Sequence, residues 1–102
     1  MSKNFEALSA EDLERASGGV SMPASARWIM QHESNGRTTA KNPHSSSFGA
    51  FQMIAANRRH YMGRNMNSTD LGAQYAAASR YVKDRYGSWD RAQAFWQRHH
   101  WY

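Results

Sequence analysis

Between Val20 and Tyr102 the chain holds four carboxylates, Glu33, Asp70, Asp84 and Asp90. Three of them have ready uses that are not chemical. Asp70, or Thr69 before it, stands where a helix N-cap belongs, Asp84 falls four residues after Arg80 at ion-pair spacing, and Asp90 has a surface role. Glu33 is different. It follows Ile29 by one helical turn, so the carboxylate points toward the interior. Partial removal from water and the negative end of the helix dipole both favour its protonated form there. A carboxyl group kept neutral near pH 7 is a general acid. On spacing alone, a solvated glutamate at a helix end stays open as the alternative. No other constellation competes. There is no cysteine, hence no thiolate. His32, His44, His60, His99 and His100 show no ligand spacing, so no metal and no cofactor is expected. Neither a phosphate-cradling glycine loop nor a serine elbow occurs.

The segment Ser34–Ser47 that follows Glu33 is polar and turn-rich, with hydroxyls and amides suited to bonding a sugar. It then turns apolar at Phe48-Gly49-Ala50-Phe51-Gln52-Met53. Ser47, Gly49 and Gln52 are the candidate binding positions of this wall, Gly49 because a ligand can approach its backbone closely.

The supporting elements read as helices. One spans Ala24 to Ser34, with Pro23 at its first position and Gly36 just past its end. A short helix covers Ile54 to Met62 and is followed by a turn from Gly63 to Asn67. Arg58, Arg59 and Arg64 form a basic patch there, although each alone reads as a solvated helix face. A third helix runs from Leu71 to Tyr86, with Leu71, Tyr75, Ala78 and Val82 as its core stripe and Gly87 as its stop. Ser88 caps a last helix, Trp89 to Arg98, and Trp101-Tyr102 fold back as a plug. The chain of 102 residues is enough for one small domain, and no apolar run is long enough to span a membrane.

Glu33-Ser34-Asn35-Gly36, a polar loop, and Ser47-Phe48-Gly49-Ala50-Phe51-Gln52 resemble the paired motifs of lysozyme-like lytic transglycosylases and resuscitation-promoting factors. The run from Tyr81 to Trp89, with Ala92, Phe95-Trp96 and Trp101-Tyr102, is similar to the domain that ends the aggregation-promoting factors of lactobacilli. Two departures are Asn35, where glycine is commoner, and Phe51 in place of methionine or leucine. The resemblance implies a mainly α fold, α+β at most, with a minor hairpin or extended loop between Gly36 and Met53. It also implies peptidoglycan glycan strands as the partner. Glu33 would protonate the glycosidic oxygen between N-acetylmuramic acid and N-acetylglucosamine, then act as a base on the sugar's 6-hydroxyl to close a 1,6-anhydro ring. Attack by water instead would make a muramidase. Common glycosidases need two carboxylates, and the single candidate here fits the one-carboxylate scheme better. Ala94-Phe95-Trp96 loosely corresponds to a family segment lining the cleft, which makes Phe95 and Trp96 candidate sugar contacts.

Residues 1–19 carry a net charge of −2 and residues 20–102 a net +7, and the sign changes at Gly18-Gly19. Phe5, Leu8 and Leu13 line one side of a short helix, and Ser9 to Asp12 has the form of a capping box. This segment resembles the double-glycine leaders of bacteriocins exported by ABC transporters with a cysteine-peptidase domain. The resemblance implies Phe5, Leu8 and Leu13 as recognition residues, a cut between Gly19 and Val20, and a secreted, extracellular product. An amphipathic cap helix with a Gly-Gly linker is the plain alternative. Net positive charge favours an anionic partner, for which wall polyanions, anionic lipid and nucleic acid all qualify by charge. The resemblance selects the wall, so no nucleic acid partner and no stable membrane insertion is expected. Two further functions stay open: a basic bacteriocin that disrupts membranes without catalysis, and a wall-binding or aggregation module.

Overall fold

The computed structural model describes residues 19–102, which form a mainly α fold. Helix α1 is Ala24–Ser34. Pro23 precedes it as the extended N-cap instead of occupying its first turn, and its carbonyl takes the Arg27 N–H at 3.1 Å. Burial of Ala26, Ile29 and Met30 fixes the inner face of α1. Asn35, not Gly36, ends the helix: it takes the left-handed conformation at φ 56°, and its N–H reaches the Gln31 carbonyl at 3.0 Å. Asparagine tolerates that region better than other side chains, so the departure from glycine is accommodated.

The expected hairpin is reduced to two isolated antiparallel bridges, Lys41 to Phe48 and Phe48 to Met53. Local side chains supply what a ladder would have supplied. Asn42 Oδ1 accepts the His44 N–H at 2.8 Å and Ser45 Oγ the Ser47 N–H at 3.1 Å, so the backbone is satisfied in turns.

Helix α2, Ala55–Met62, leads into a 3₁₀ turn at Gly63–Asn65. Arg58 does not join an exposed basic patch with Arg59 and Arg64. It is buried, with its guanidinium 5.5 Å from the Phe48 ring centroid and Nη2 donating to the Ser46 carbonyl at 3.0 Å. Burial pulls its pKa down, with help from neighbouring Arg59.

Helix α3 is Leu71–Arg85, capped by Asp70 Oδ2 on the Ala73 N–H at 2.9 Å. Ala77, Ala78 and Val82 carry its core face, with Leu71 and Tyr75 half-buried. The expected Arg80–Asp84 pair is replaced by a bridge through Tyr61: its hydroxyl donates to Asp84 at 2.7 Å and its carbonyl accepts Arg80 at 2.8 Å. Helix α4, Trp89–His99, is capped by Ser88 Oγ on the Arg91 N–H at 3.1 Å and packs on α1 and α3. Ile29, Met30, Phe51 and Val82 are the largest fully buried side chains of the core shared by these elements. No helix among the described residues is long and apolar enough to cross a membrane.

One buried side chain ties the loop to α3. Gln74 Oε1 accepts the Ala50 N–H at 2.9 Å, and Nε2 donates to the carbonyls of Thr38 at 2.9 Å and Ser68 at 2.8 Å. Gly49 makes room for it: φ is +93°, and a Cβ there would stand 2.8 Å from Gln74 Nε2. Gly49→Ala is therefore expected to destabilise the domain by at least about 2 kcal/mol, from left-handed strain plus loss of these bonds, as read by urea unfolding.

Candidate active site

Glu33 sits in the last turn of α1 at the edge of the core and is half-buried. From α4, the Trp96 indole Nε1–H donates to Glu33 Oε2 at 2.6 Å. That indole is held edge-on by Trp28 and by His32, each with ring centroids 5.1 Å away. His32 in turn stacks on Trp28 at 3.7 Å, and its Nδ1 lies 2.8 Å from the Trp28 carbonyl, an acceptor, which assigns the proton to Nδ1. The Glu33 pKa is raised. Burial is the main cause, and the Trp96 bond and the nearby His32 pull partly the other way. With Oε2 taken by the indole, Oε1 is the oxygen left to carry and deliver a proton.

Glu33 opens into a groove of about 440 Å³. Asn42, Ser47 and Gln52 from the loop and Asn57 from α2 give it amide and hydroxyl groups, over buried Phe51 and Met53. Tyr81 and Arg85 from α3 line it as well, with His100, Trp101 and Tyr102 from the segment after α4. The two large apolar side chains left exposed among the described residues, Ile54 and Trp101, both belong to this groove. A second hollow of similar size, about 420 Å³ near Trp89 and Asp90, contains no glutamate and lies away from Glu33.

Of the terminal pair expected to fold back as a plug, Tyr102 does so, whereas Trp101 stays exposed. The Tyr102 hydroxyl donates to the Phe51 carbonyl at 2.7 Å, and the Tyr102 carbonyl accepts the hydroxyls of Tyr86, at 2.6 Å, and Tyr81. Burial, then the negative charge of Glu33, pushes the Tyr102 phenol well above its ordinary value, so this tyrosine stays neutral. Tyr81 is pushed up to about 12, first by burial and then by Tyr86.

Of the residues singled out in the sequence, Glu33, Ser47 and Gln52 meet in the groove. Gln52 holds the loop as well as lining it: at φ 52° its Nε2 donates to the carbonyls of Ala40 at 2.9 Å and Gly49 at 2.8 Å. Gly49 is not a ligand approach point, since its open side is filled by Gln74. Phe95 is turned away and packs against Tyr86, His99 and Trp101. Trp96 reaches the site by bonding the carboxyl, a role distinct from a stacking platform. Gly19 lies exposed with open space where a Cβ would be. Phe5, Leu8, Leu13 and Gly18 fall outside the described residues. Sequence reasoning missed Asn57, Arg85 and His100, and did not count Tyr81 among the binding positions. The four-residue spacing of Tyr81 and Arg85 was the available signal, because it places both on one face of a helix.

Asp70, Asp84 and Asp90 are all absent from the groove, so Glu33 is its single side-chain carboxylate among the described residues. Nor do those residues contain a cluster of three histidine or acidic side chains able to hold a metal ion. The chain matches no protein-family model, no curated protein and no solved structure.

Trp96→Phe keeps an aromatic ring beside Glu33 but removes the donor that favours ionisation. The Glu33 titration, followed by carboxyl carbon NMR, is then expected to move to higher pH. An unchanged or lowered midpoint would contradict the assignment of this bond.

Proposed function

We propose that residues 20–102 form a lysozyme-like domain that cleaves the glycan strand of bacterial peptidoglycan, with Glu33 as sole catalytic carboxyl. The observation that supports this best is one half-buried acid, its pKa raised by burial, facing a groove of amides, hydroxyls and exposed apolar side chains. Such a surface suits amino sugars, whose ring faces are apolar and whose edges are polar. Glu33 Oε1 protonates the oxygen between N-acetylmuramic acid and N-acetylglucosamine as that bond breaks and positive charge develops at the sugar carbon. The resulting carboxylate then takes the proton of the 6-hydroxyl, which closes a 1,6-anhydro ring, or that of a water molecule, which gives a reducing end. Either route returns the proton to Glu33. Burial at the edge of the core biases the acid toward its protonated form.

The first nineteen residues serve, in this reading, as a leader removed after Gly19 during export by an ABC transporter with a cysteine-peptidase domain, and the product acts outside the cell as a bacteriocin. Mass spectrometry of secreted material tests the leader: a mature chain beginning at Val20 supports it, and any other start counts against it. For the domain, the full chain and the chain cut after Gly19 are incubated with purified cell walls and the soluble products weighed. Anhydro or reducing muropeptides support glycan cleavage. Pelleting with walls without soluble products would leave a wall-binding module. Leakage of dye from anionic vesicles without either would leave a membrane-disrupting peptide.

A further inference from the structure

Among the described residues, Arg85 is the only lysine or arginine lining the groove. Its guanidinium carbon lies 5.5 Å from the Trp101 ring centroid, 5.6 Å from that of Tyr86 and 6.0 Å from that of Tyr81. Nε donates to the Tyr86 hydroxyl at 3.0 Å, and that hydroxyl itself donates to the Tyr102 carbonyl. Three rings and one hydrogen bond therefore order this side chain. Among the described residues no side-chain carboxylate pairs with it, and the groove's one acidic side chain is biased toward its neutral form. What remains is the forked pair of terminal nitrogens, a geometry matched to a planar carboxylate. Exposed Trp101, over which the guanidinium lies, offers an apolar face beside that fork.

We propose that Arg85 receives a carboxylate borne by the substrate next to the cleaved bond, on the lactyl arm of the muramyl sugar. The carboxylate comes from the stem peptide, or from the arm itself once the peptide has been removed. This inference rests on the glycan-cleaving reading and names the substituent that the groove selects. Glu33 protonates the bridge oxygen while the Arg85 cation in the same groove holds the charged substituent, so the strand is seated in one direction and register.

The test uses the full chain and three soluble glycan preparations: peptide-bearing strands, the same strands with carboxylates converted to carboxamides, and strands stripped of peptide by an amidase. Conversion to carboxamides is expected to raise KM about tenfold for the wild type while leaving kcat nearly unchanged. Arg85→Gln is expected to show the raised KM on every preparation, and Arg85→Lys to recover part of the discrimination. Low KM on stripped strands assigns the carboxylate to the lactyl arm, and raised KM assigns it to the stem peptide. A wild type indifferent to carboxamide conversion, or an Arg85→Gln variant that still discriminates, overturns the proposal. A residue that merely held Trp101 in place would lower activity on all three alike. If no preparation is cleaved, the glycan-cleaving reading fails separately, and the same comparison is read by equilibrium binding. Wild-type binding weakened by carboxamide conversion, with Arg85→Gln insensitive to it, then keeps the carboxylate assignment; equal binding overturns it.

Discussion

Glu33→Gln is expected to lower glycan cleavage by about a thousandfold with KM little changed, because it removes the proton donor while leaving an acceptor for the Trp96 indole. The same substitution should stabilise the fold at neutral and alkaline pH. The folded-state pKa of Glu33 is raised, chiefly by burial, so folding favours the protonated acid. That contribution is fully present below the unfolded-chain value and is lost as pH rises through the folded one. Above it the wild type carries a half-buried carboxylate, whereas the variant carries a neutral amide. Thermal melts from acid to alkaline pH should therefore diverge, the variant gaining on the wild type as pH increases. Equal clearing of cell walls by the two proteins would remove Glu33 from the reaction, and parallel melting curves would contradict the raised pKa.

The largest effect on stability is expected at Phe51. It is 1% exposed, among the largest fully buried side chains, and its ring meets Tyr75 and Trp89 at centroid distances of 6.0 and 5.5 Å. Phe51→Ala should cost about 3–5 kcal/mol, a substantial part of the about 5–15 kcal/mol that holds a small domain together. Urea unfolding measures it directly. Phe51→Leu keeps more of the volume and should cost clearly less, which separates loss of packing from any fault in the backbone turn. Because Phe51 also lies under the groove, both variants should lose activity in step with stability.

The helices were legible because their signals are local. Ile29 to Glu33 is one turn, Asp70 and Ser88 are capping residues, and Gly87 at φ 93° stops α3 where expected. Glu33 itself followed from that same periodicity. What escaped was set by distance along the chain. Gln74 meets Thr38 and Ala50 across 36 and 24 residues, and no feature of the sequence around Gln74 announces that it will plug the space beside Gly49. Arg58 looked like a surface cation because its burial depends on Phe48 and Ser46, which reach it only after the loop has folded. Phe95 and Trp96 are adjacent on one helix, so they point about 100° apart, and only one of them could face Glu33. Periodicity states that they differ without saying which is which.

The hydroxyl-to-carbonyl bond from Tyr102 to Phe51 joins positions 51 apart in the chain, and the indole bond from Trp96 to Glu33 joins positions 63 apart. Such distant pairings form late, after the helices that carry them. A chain whose last turn has not yet docked therefore possesses the acid but not the cleft around it. The Glu33 carboxyl thus gains both its indole partner and its groove in a single closing event that unites α1 with α4 and the segment after it.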